Sequence, residues 1–432
     1  MKGSIESLAA KLERELDTGS VRCEPDDLRP FSVDAIVPSI LCLPSNVDQI
    51  STALRVLSEA GACVIPWGGG TSMGLGNIPR GLDVLIGLER ISDLVEHDDV
   101  NLTATVQAGM KLATLQRLLA RANQFLALDP PLLSRATIGG LVAANANGPR
   151  RMMYGGVRDQ VVGMKMILAS GVSIKAGGKV VKNVAGYDMC KLFIGSLGTL
   201  GIITDVTFRM APIPEFAATA LAKGTLTPCL KLAHELLRST LLPAAMTVLN
   251  TKALETAELA TGTGAIAVWT EGFEENVSRH LRDIRTMAEA IGLSVEVLRD
   301  DPHRRLWEKI RDFGAGDAIV LYRVTVPLSV VAKVLSTIES WTFSPATLAH
   351  CGSGTVWVAM MADPSCVQWF SKLISVAQEH GGHAVMAAAT PALKKGVDVW
   401  GPPPPSLDIM REIKRRFDPH DLLNPGRFVA GL

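Results

Sequence analysis

Residues 66–76 read PWGGGTSMGLG. Three consecutive glycines are costly to order, because glycine loses more backbone freedom on folding than any other residue. Such a run persists where something must approach the main chain closely. The preceding ACVIP is short, apolar and partly β-branched, the pattern of a buried strand. A strand opening into G-G-G-T-S presents successive N–H groups with no Cβ in the way and then two hydroxyls that can also donate, a nest suited to a diphosphate. A surface turn uses the same residue types, so the loop alone leaves both readings open. Familiar phosphate fingerprints do not fit: G-x-x-x-x-G-K-[ST] is absent, and Gly74-Leu75-Gly76 lacks the third glycine of a dinucleotide fold.

Two further elements share its character. Residues 129–159, DPPLLSRATIGGLVAANANGPRRMMYGGVRD, are too polar and interrupted for a simple strand. Ala136, Gly139, Gly140, Ala143, Ala144 and Gly148 remove bulk at intervals, so an elongated ligand can lie against main chain. Residues 182–204, KNVAGYDMCKLFIGSLGTLGIIT, place Gly195, Gly198 and Gly201 three apart ahead of a strand, a spacing that close helix packing would also use. Three such elements in one stretch of chain point jointly to a single extended ligand carrying phosphates.

The totals agree with local recognition. Lysine plus arginine and aspartate plus glutamate both number 43, so the formal net charge is zero, with no long run of one sign. That argues against a nucleic-acid groove or a polybasic membrane patch and leaves an anionic ligand to backbone dipoles and a few side chains. The seven cysteines, Cys23, Cys42, Cys63, Cys190, Cys229, Cys351 and Cys366, form no C-x-x-C pair. They read as reduced thiols of a cytoplasmic protein, and no iron-sulfur cluster is expected in this chain. The start, MKGSIESLAAKLEREL, reads as an amphipathic helix, not a signal peptide, and no transmembrane run of about 18 apolar residues is found.

At 432 residues the chain suggests two or three domains. Residues 1–36 are an N-terminal helix and lead-in. The helix over 47–60 is stopped by Gly61, strands follow in DVLIGL and NLTATVQAG, a helix over 111–122 ends near Asn123, and 160–178 read as a hairpin. Pro212 and Pro214 mark the end of a region 37–213, divided near residue 100. Beyond it, 214–400 carry a β-α-β-β-α-β order of the ferredoxin-like kind, with no internal repeat visible, and 401–432 return to the first region after GPPPPS.

GGGTS, then DPP…ATIGGLVAANANGPRR…YGGVRD, then KNVAGYD…GSLGTLGIIT and the tail NPGRF resemble, in this order, the FAD-binding oxidoreductases of the vanillyl-alcohol-oxidase or p-cresol-methylhydroxylase type. Within that family DPP, GPRR, VKNVAGYD and GGHA resemble the glycolate oxidase E-subunit branch. The resemblance implies an α+β fold class: a two-subdomain FAD-binding domain and an α+β cap. It implies that Pro66, Trp67, Gly68, Gly69, Gly70, Thr71 and Ser72 hold the pyrophosphate, with Pro130, Thr137, Ile138, Gly139 and Gly140 on the phosphates or ribityl chain. Ala143, Ala144, Gly148, Tyr154 and Gly155 are implied to line the flavin, and Ile202 and Ile203 to lie by the adenine. Tethered members attach the ring through a histidine near the first loop. None stands before His97 here, so FAD is expected to bind noncovalently, with Cys63 as a remote alternative tether.

Oxidising a 2-hydroxy acid needs a cation for the carboxylate and a base or metal acting on the hydroxyl. Catalytic relatives hold a metal on an H-x-G-D-G-x-x-H strand. Here that strand is HCGSGTVW, with Ser353 and Trp357 in place of the aspartate and second histidine, so no metal is expected. Arg323 is the candidate carboxylate ligand, His350 and His383 are candidate bases, and Lys182 and Arg158 lie in flanking motifs. The function implied is an FAD subunit of a glycolate oxidase-like 2-hydroxy-acid dehydrogenase. It would pass electrons to an iron-sulfur partner subunit beside a sister flavin subunit, in the cytoplasm or at the inner face of the membrane through those partners. The alternatives are a flavin-binding, non-catalytic partner of the sister subunit, or an oxidase of another alcohol or sugar.

Overall fold

A computed structural model of the chain describes residues 2–178, 187–259, 263–316 and 318–432. They fall into two units, the first formed by residues 1–146, 156–212 and 394–432, the second by residues 147–155 and 213–393. The return to the first unit begins at Lys394, ahead of the proline run, and residues 147–155 from the second glycine-rich element join the second unit.

In the first unit, Asn46 caps the helix Val47–Ala60 by accepting the Gln49 amide at 3.0 Å, and Gly61 ends it in the left-handed region at φ 63°. The helix buries Ile50, Leu54 and Leu57, the face its spacing of apolar residues predicts, and Leu8 and Leu12 of the first helix join the same core. Strands Ile40–Cys42, Val84–Gly87 and Val64–Trp67 pair in parallel in that spatial order, with Val21–Arg22 antiparallel at the edge. An antiparallel sheet follows in the order Leu94–Asp98, Thr103–Gln107, Ile202–Arg209, Val161–Ile167, Ser173–Gly177, so it opens before the expected division near residue 100. Ile40, Val64 and Ile86 of the first sheet share one core with Val106, Met166 and Phe208 of the second.

The last residues of the chain are built into this unit. Val64 donates its amide to Leu422 O and accepts from Asn424 N, both at 2.8 Å, so the tail runs beside the strand that opens the glycine loop.

The second unit is an eight-stranded antiparallel sheet. Named by first residue, the strand order is 294, 216, 264, 245, 346, 355, 319, 383. Strands 216, 245, 264 and 294 with helices Leu226–Arg238 and Glu274–Glu289 make one β-α-β-β-α-β motif. Strands 319, 346, 355 and 383 with helices Val331–Glu339 and Cys366–Glu379 make another. Ala245–Asn250 pairs with Ala346–His350 to join the two motifs edge to edge. The chain therefore contains a repeat of topology that the sequence reading missed. The two copies keep the order of elements and the alternation of buried residues while sharing no readable motif.

Candidate functional site

In the first unit the glycine loop, the helix Ile138–Ala144 and the start of the strand Ile202–Arg209 surround one cavity. Its lining comprises Pro66 to Met73, Leu88, Gly139, Gly140, Ala143, Ala144, Leu197, Gly198, Gly201, Ile202, Ile203, Asn424 and Arg427. The glycines are required by the protein's own packing: a Cβ on Gly68 would lie 2.1 Å from Thr137 Oγ1, and one on Gly69 would lie 1.9 Å from the Arg135 carbonyl oxygen. Gly70 sits at φ 71°, a conformation other residues rarely adopt. The close contact of the loop with residues 135–140 leaves the amides of Gly70, Thr71 and Ser72, and both hydroxyls, without a hydrogen-bond partner among the described residues. Among the described residues no carboxylate lines the cavity, and Arg427 is the one charged residue in its lining. Free donors, a lone guanidinium and a bare backbone fit a long ligand with a diphosphate.

Of the residues expected at this cavity, Pro66 to Ser72, Gly139, Gly140, Ala143, Ala144, Ile202 and Ile203 come together in it. Thr137 instead supports the loop, its hydroxyl accepting the Gly69 amide at 3.1 Å, while Gly139 donates its amide to Ala108 O at 2.7 Å. Ile138 is fully buried in the core, and Pro130 is buried outside the lining. Gly148, Tyr154 and Gly155 belong to the second unit. Gly195, Gly198 and Gly201 follow a helix that ends at Phe193, so their spacing serves turns, at φ 84° and 70° for the first two, and not helix packing. Lys182 lies outside the described residues. Asn424 and Arg427 were missed as site residues, although NPGRF was noticed; nothing in that motif says that its arginine is buried.

In the second unit, alternation along the strands puts Glu271, Trp269, Thr247, His350, Trp357, Arg323 and His383 on one face of the sheet, the face that packs on Leu306, Trp307 and Ile310. Residues 147–155 meet this face. Arg150 Nη2 reaches both oxygens of Glu271, at 2.8 and 3.0 Å, and Tyr154 donates its hydroxyl to Glu271 at 2.5 Å. The Arg150 guanidinium also lies over the Tyr154 and Trp269 rings, 5.0 and 4.7 Å from their centroids. Burial, then the Glu271 charge, push the Tyr154 hydroxyl well above the usual tyrosine range.

Arg323 is half-buried on the strand Ile319–Thr325, opposite Trp357 on one side and Val385 on the other. Burial, then the neighbouring Arg151, press its pKa down, and neither guanidinium pairs with a carboxylate among the described residues. His350 is buried, its Nδ1 2.9 Å from Thr247 Oγ1, and burial pushes its pKa down to about 4. His383 is exposed at the start of its strand, and its pKa is lowered by desolvation and by the Arg323 charge. Among the described residues no group of three His, Cys, Asp or Glu stands where it could hold a metal ion, and no helix is long and apolar enough to cross a membrane. All seven cysteines are free thiols; the partly buried Cys63 has its pKa raised first by desolvation.

A glycine-built cavity in a unit of one largely parallel and one antiparallel sheet, in a chain whose second unit is antiparallel α+β, defines a flavoprotein of the p-cresol-methylhydroxylase fold. Solved structures share it: p-cresol methylhydroxylase with substrate bound has a TM-score of 0.76 at 16% identity, covering 99% of this chain and 97% of that one. The 4-ethylphenol oxidase of Gulosibacter chungangensis has a TM-score of 0.75 at 15% identity, covering 99% and 97%. An FAD binding domain profile matches residues 38–177, and one for the C-terminal domain of FAD linked oxidases matches residues 213–428. The chain belongs to the FAD-linked oxidases and is an FAD-linked oxidoreductase. It is similar to the glycolate oxidase subunit GlcD of Bacillus subtilis, 29% identical over 91% of this chain and 89% of that protein. It is also similar to the D-lactate dehydrogenase of Archaeoglobus fulgidus, 28% over 91% and 92%, and to the D-2-hydroxyglutarate dehydrogenase of Xanthomonas citri pv. viticola, 26% over 96% and 95%.

Proposed function

We propose that this chain is the FAD subunit of a glycolate oxidase-like dehydrogenase acting on a 2-hydroxy acid. The observation that carries the reading is Arg323: a half-buried guanidinium beside Arg151, with no carboxylate partner among the described residues, on a sheet face that also holds two histidines. Two cations left without an anion suit the carboxylate of a small acid, which arginine binds in bidentate fashion. The similarity to hydroxy-acid dehydrogenases supports the same substrate class.

FAD, when bound, accepts the hydride from the carbon that bears the hydroxyl. The diphosphate would be held by the amides of residues 70–72 and the hydroxyls of Thr71 and Ser72, with Pro66 to Gly69, Gly139, Gly140, Ala143 and Ala144 giving close approach and Ile202 and Ile203 meeting the adenine; the binding is noncovalent. Pro130, Thr137 and Ile138 support that site from the protein side, and Gly148, Tyr154 and Gly155 serve the flavin's reactive end. Arg323 and Arg151 orient the acid. His383, exposed on the same sheet face as Arg323, takes the hydroxyl proton. His350, at about 4, is poorly matched to proton transfer at neutral pH.

A second reading rests on Ser353 and Trp357, which stand where a metal-binding strand would carry an aspartate and a histidine. In that reading the chain binds FAD and relays electrons or supports a catalytic sister subunit, with an iron-sulfur subunit next in line. Anaerobic mixing of the purified chain with glycolate or D-lactate separates the two. Loss of the oxidised flavin absorbance in the isolated chain supports substrate oxidation here, and loss only after the sister subunit is added supports the second.

A further inference from the structure

Four consecutive carbonyls at the end of the glycine-rich loop turn alternately to two buried cations. Arg427 Nη2 donates to the carbonyls of Met73 and Leu75, each at 2.7 Å. Lys394 Nζ donates to those of Gly74 at 2.7 Å and Gly76 at 3.1 Å. Both cations come from the last segment of the chain, more than 300 residues from the loop in sequence. The segment is tied to the loop again where Asn77 N and Trp400 Nε1 both donate to Arg427 O, each at 3.0 Å.

The two cations are paired unequally. Lys394 pairs with Asp34 at 2.7 Å, and both side chains are almost wholly buried. Arg427 is 2% exposed, donates to Asn424 Oδ1 at 3.2 Å, and pairs with no carboxylate among the described residues. Its Nε is buried without an acceptor. Among the described residues Lys394 has a carboxylate partner and Arg427 has none, beside a cavity whose described lining carries no carboxylate. Burial pushes Arg427 down only to about 10, so it stays a cation at neutral pH. An uncompensated buried charge is costly unless a partner arrives.

We propose that Lys394 and Arg427 are positioning residues for the cofactor: they hold residues 73–76 in the shape that presents the amides of 70–72, and the Arg427 charge is the complement of the diphosphate. Resting on the assignment of this cavity to FAD, the proposal adds that the loop is set before FAD arrives and that the chain's last segment sets it. A truncated or displaced tail would then release the cofactor without touching it through any side chain of the loop.

The test uses the full chain stripped of FAD. Hydrogen exchange of peptides covering residues 70–77 is measured with and without FAD, and Kd for FAD is measured by quenching of flavin fluorescence. In the wild type without FAD, the amides of Leu75 and Asn77, which donate to Ser72 O and Arg427 O, should exchange slowly, while those of residues 70–72 exchange fast until FAD covers them. In Lys394→Met and Arg427→Met exchange at Leu75 and Asn77 should quicken, and Kd should rise about ten- to a hundredfold, the scale of one or two lost charge-assisted hydrogen bonds. Arg427→Lys, which keeps the charge but loses the fork, should fall between. Folded variants with wild-type exchange and wild-type Kd would overturn the proposal, as would wild-type Leu75 and Asn77 amides that exchange freely until FAD is added; the second arm decides even if the variants do not fold. A wild type that binds no FAD at all would instead overturn the assignment of the cavity.

Discussion

The hydroxyl of Thr137 accepts the amide of Gly69 at 3.1 Å, joining two glycine-rich elements 68 residues apart. Thr137 also precedes the helix Ile138–Ala144, so one residue fixes both the loop and the helix that frame the cavity. Thr137→Val keeps the shape and leaves the Gly69 amide without its acceptor. The expected cost is about 1–3 kcal/mol, seen as a lower denaturation midpoint together with weaker FAD retention on dilution. Unchanged retention would mean the loop does not depend on this bond.

Glu271 is the centre of the second unit's polar contacts, meeting both Arg150 and Tyr154, with its side chain only 2% exposed. Glu271→Ala removes the buried carboxylate that meets Arg150 and Tyr154, and breaking a buried ion pair in this way typically costs about 3–5 kcal/mol. The loss should appear as a large drop in unfolding midpoint and as faster exchange in residues 147–155, which this contact ties to the sheet. A variant as stable as the wild type would show that the segment is held by other contacts.

His303 and His350 predict a pH dependence. His303 Nδ1 lies 2.7 Å from Thr219 Oγ1, and burial pushes its pKa, like that of His350, down to about 4. The unfolded chain takes up these protons near an ordinary histidine pKa of about 6.5, whereas the folded chain takes them up only near 4. The unfolded state therefore binds more protons in that interval. Stability from these groups is full above about pH 6.5 and falls as the pH drops towards 4. Urea titrations across this range should show the fall in the wild type and a shallower one in His303→Gln or His350→Gln. Equal slopes in all three would contradict the assignment.

If Arg323 orients the acid, Arg323→Met should leave FAD content unchanged while raising KM for glycolate or D-lactate at least about tenfold, the scale of one lost charge-assisted hydrogen bond. Steady-state kinetics with an artificial acceptor measure it. A change in kcat alone would move the role from binding to chemistry.

Much of the first unit was legible because its signals are local. Asn46 and Gly61 bracket a helix with an apolar stripe, and Gly68 to Gly70 announce close approach within a few residues. The cavity's other half depends on contacts across the whole chain. Lys394 in PALKKG and Arg427 in NPGRF read as ordinary surface cations until burial turns them onto the carbonyls of residues 73–76. The placement of residues 147–155 in the second unit rests on Arg150 finding Glu271, 121 residues away, a pairing that no spacing signals. His350 stood out as a possible base by its residue type. Its environment, enclosed and bonded to Thr247, exists only once the strands pair.

The central claim is that the bare backbone at Gly68 to Gly70 receives the diphosphate of FAD. A Cβ on Gly69 would stand 1.9 Å from the Arg135 carbonyl, and that backbone atom cannot yield as a flexible side chain would. The most direct measurement is the flavin content of the purified chain and of Gly69→Val, read from the absorbance spectrum and from FAD released by heat. The account predicts a yellow wild type carrying one FAD per chain, all of it released, and a folded variant that carries almost none. A colourless wild type that stays colourless after soaking in excess FAD, or a variant with full flavin content, would contradict it.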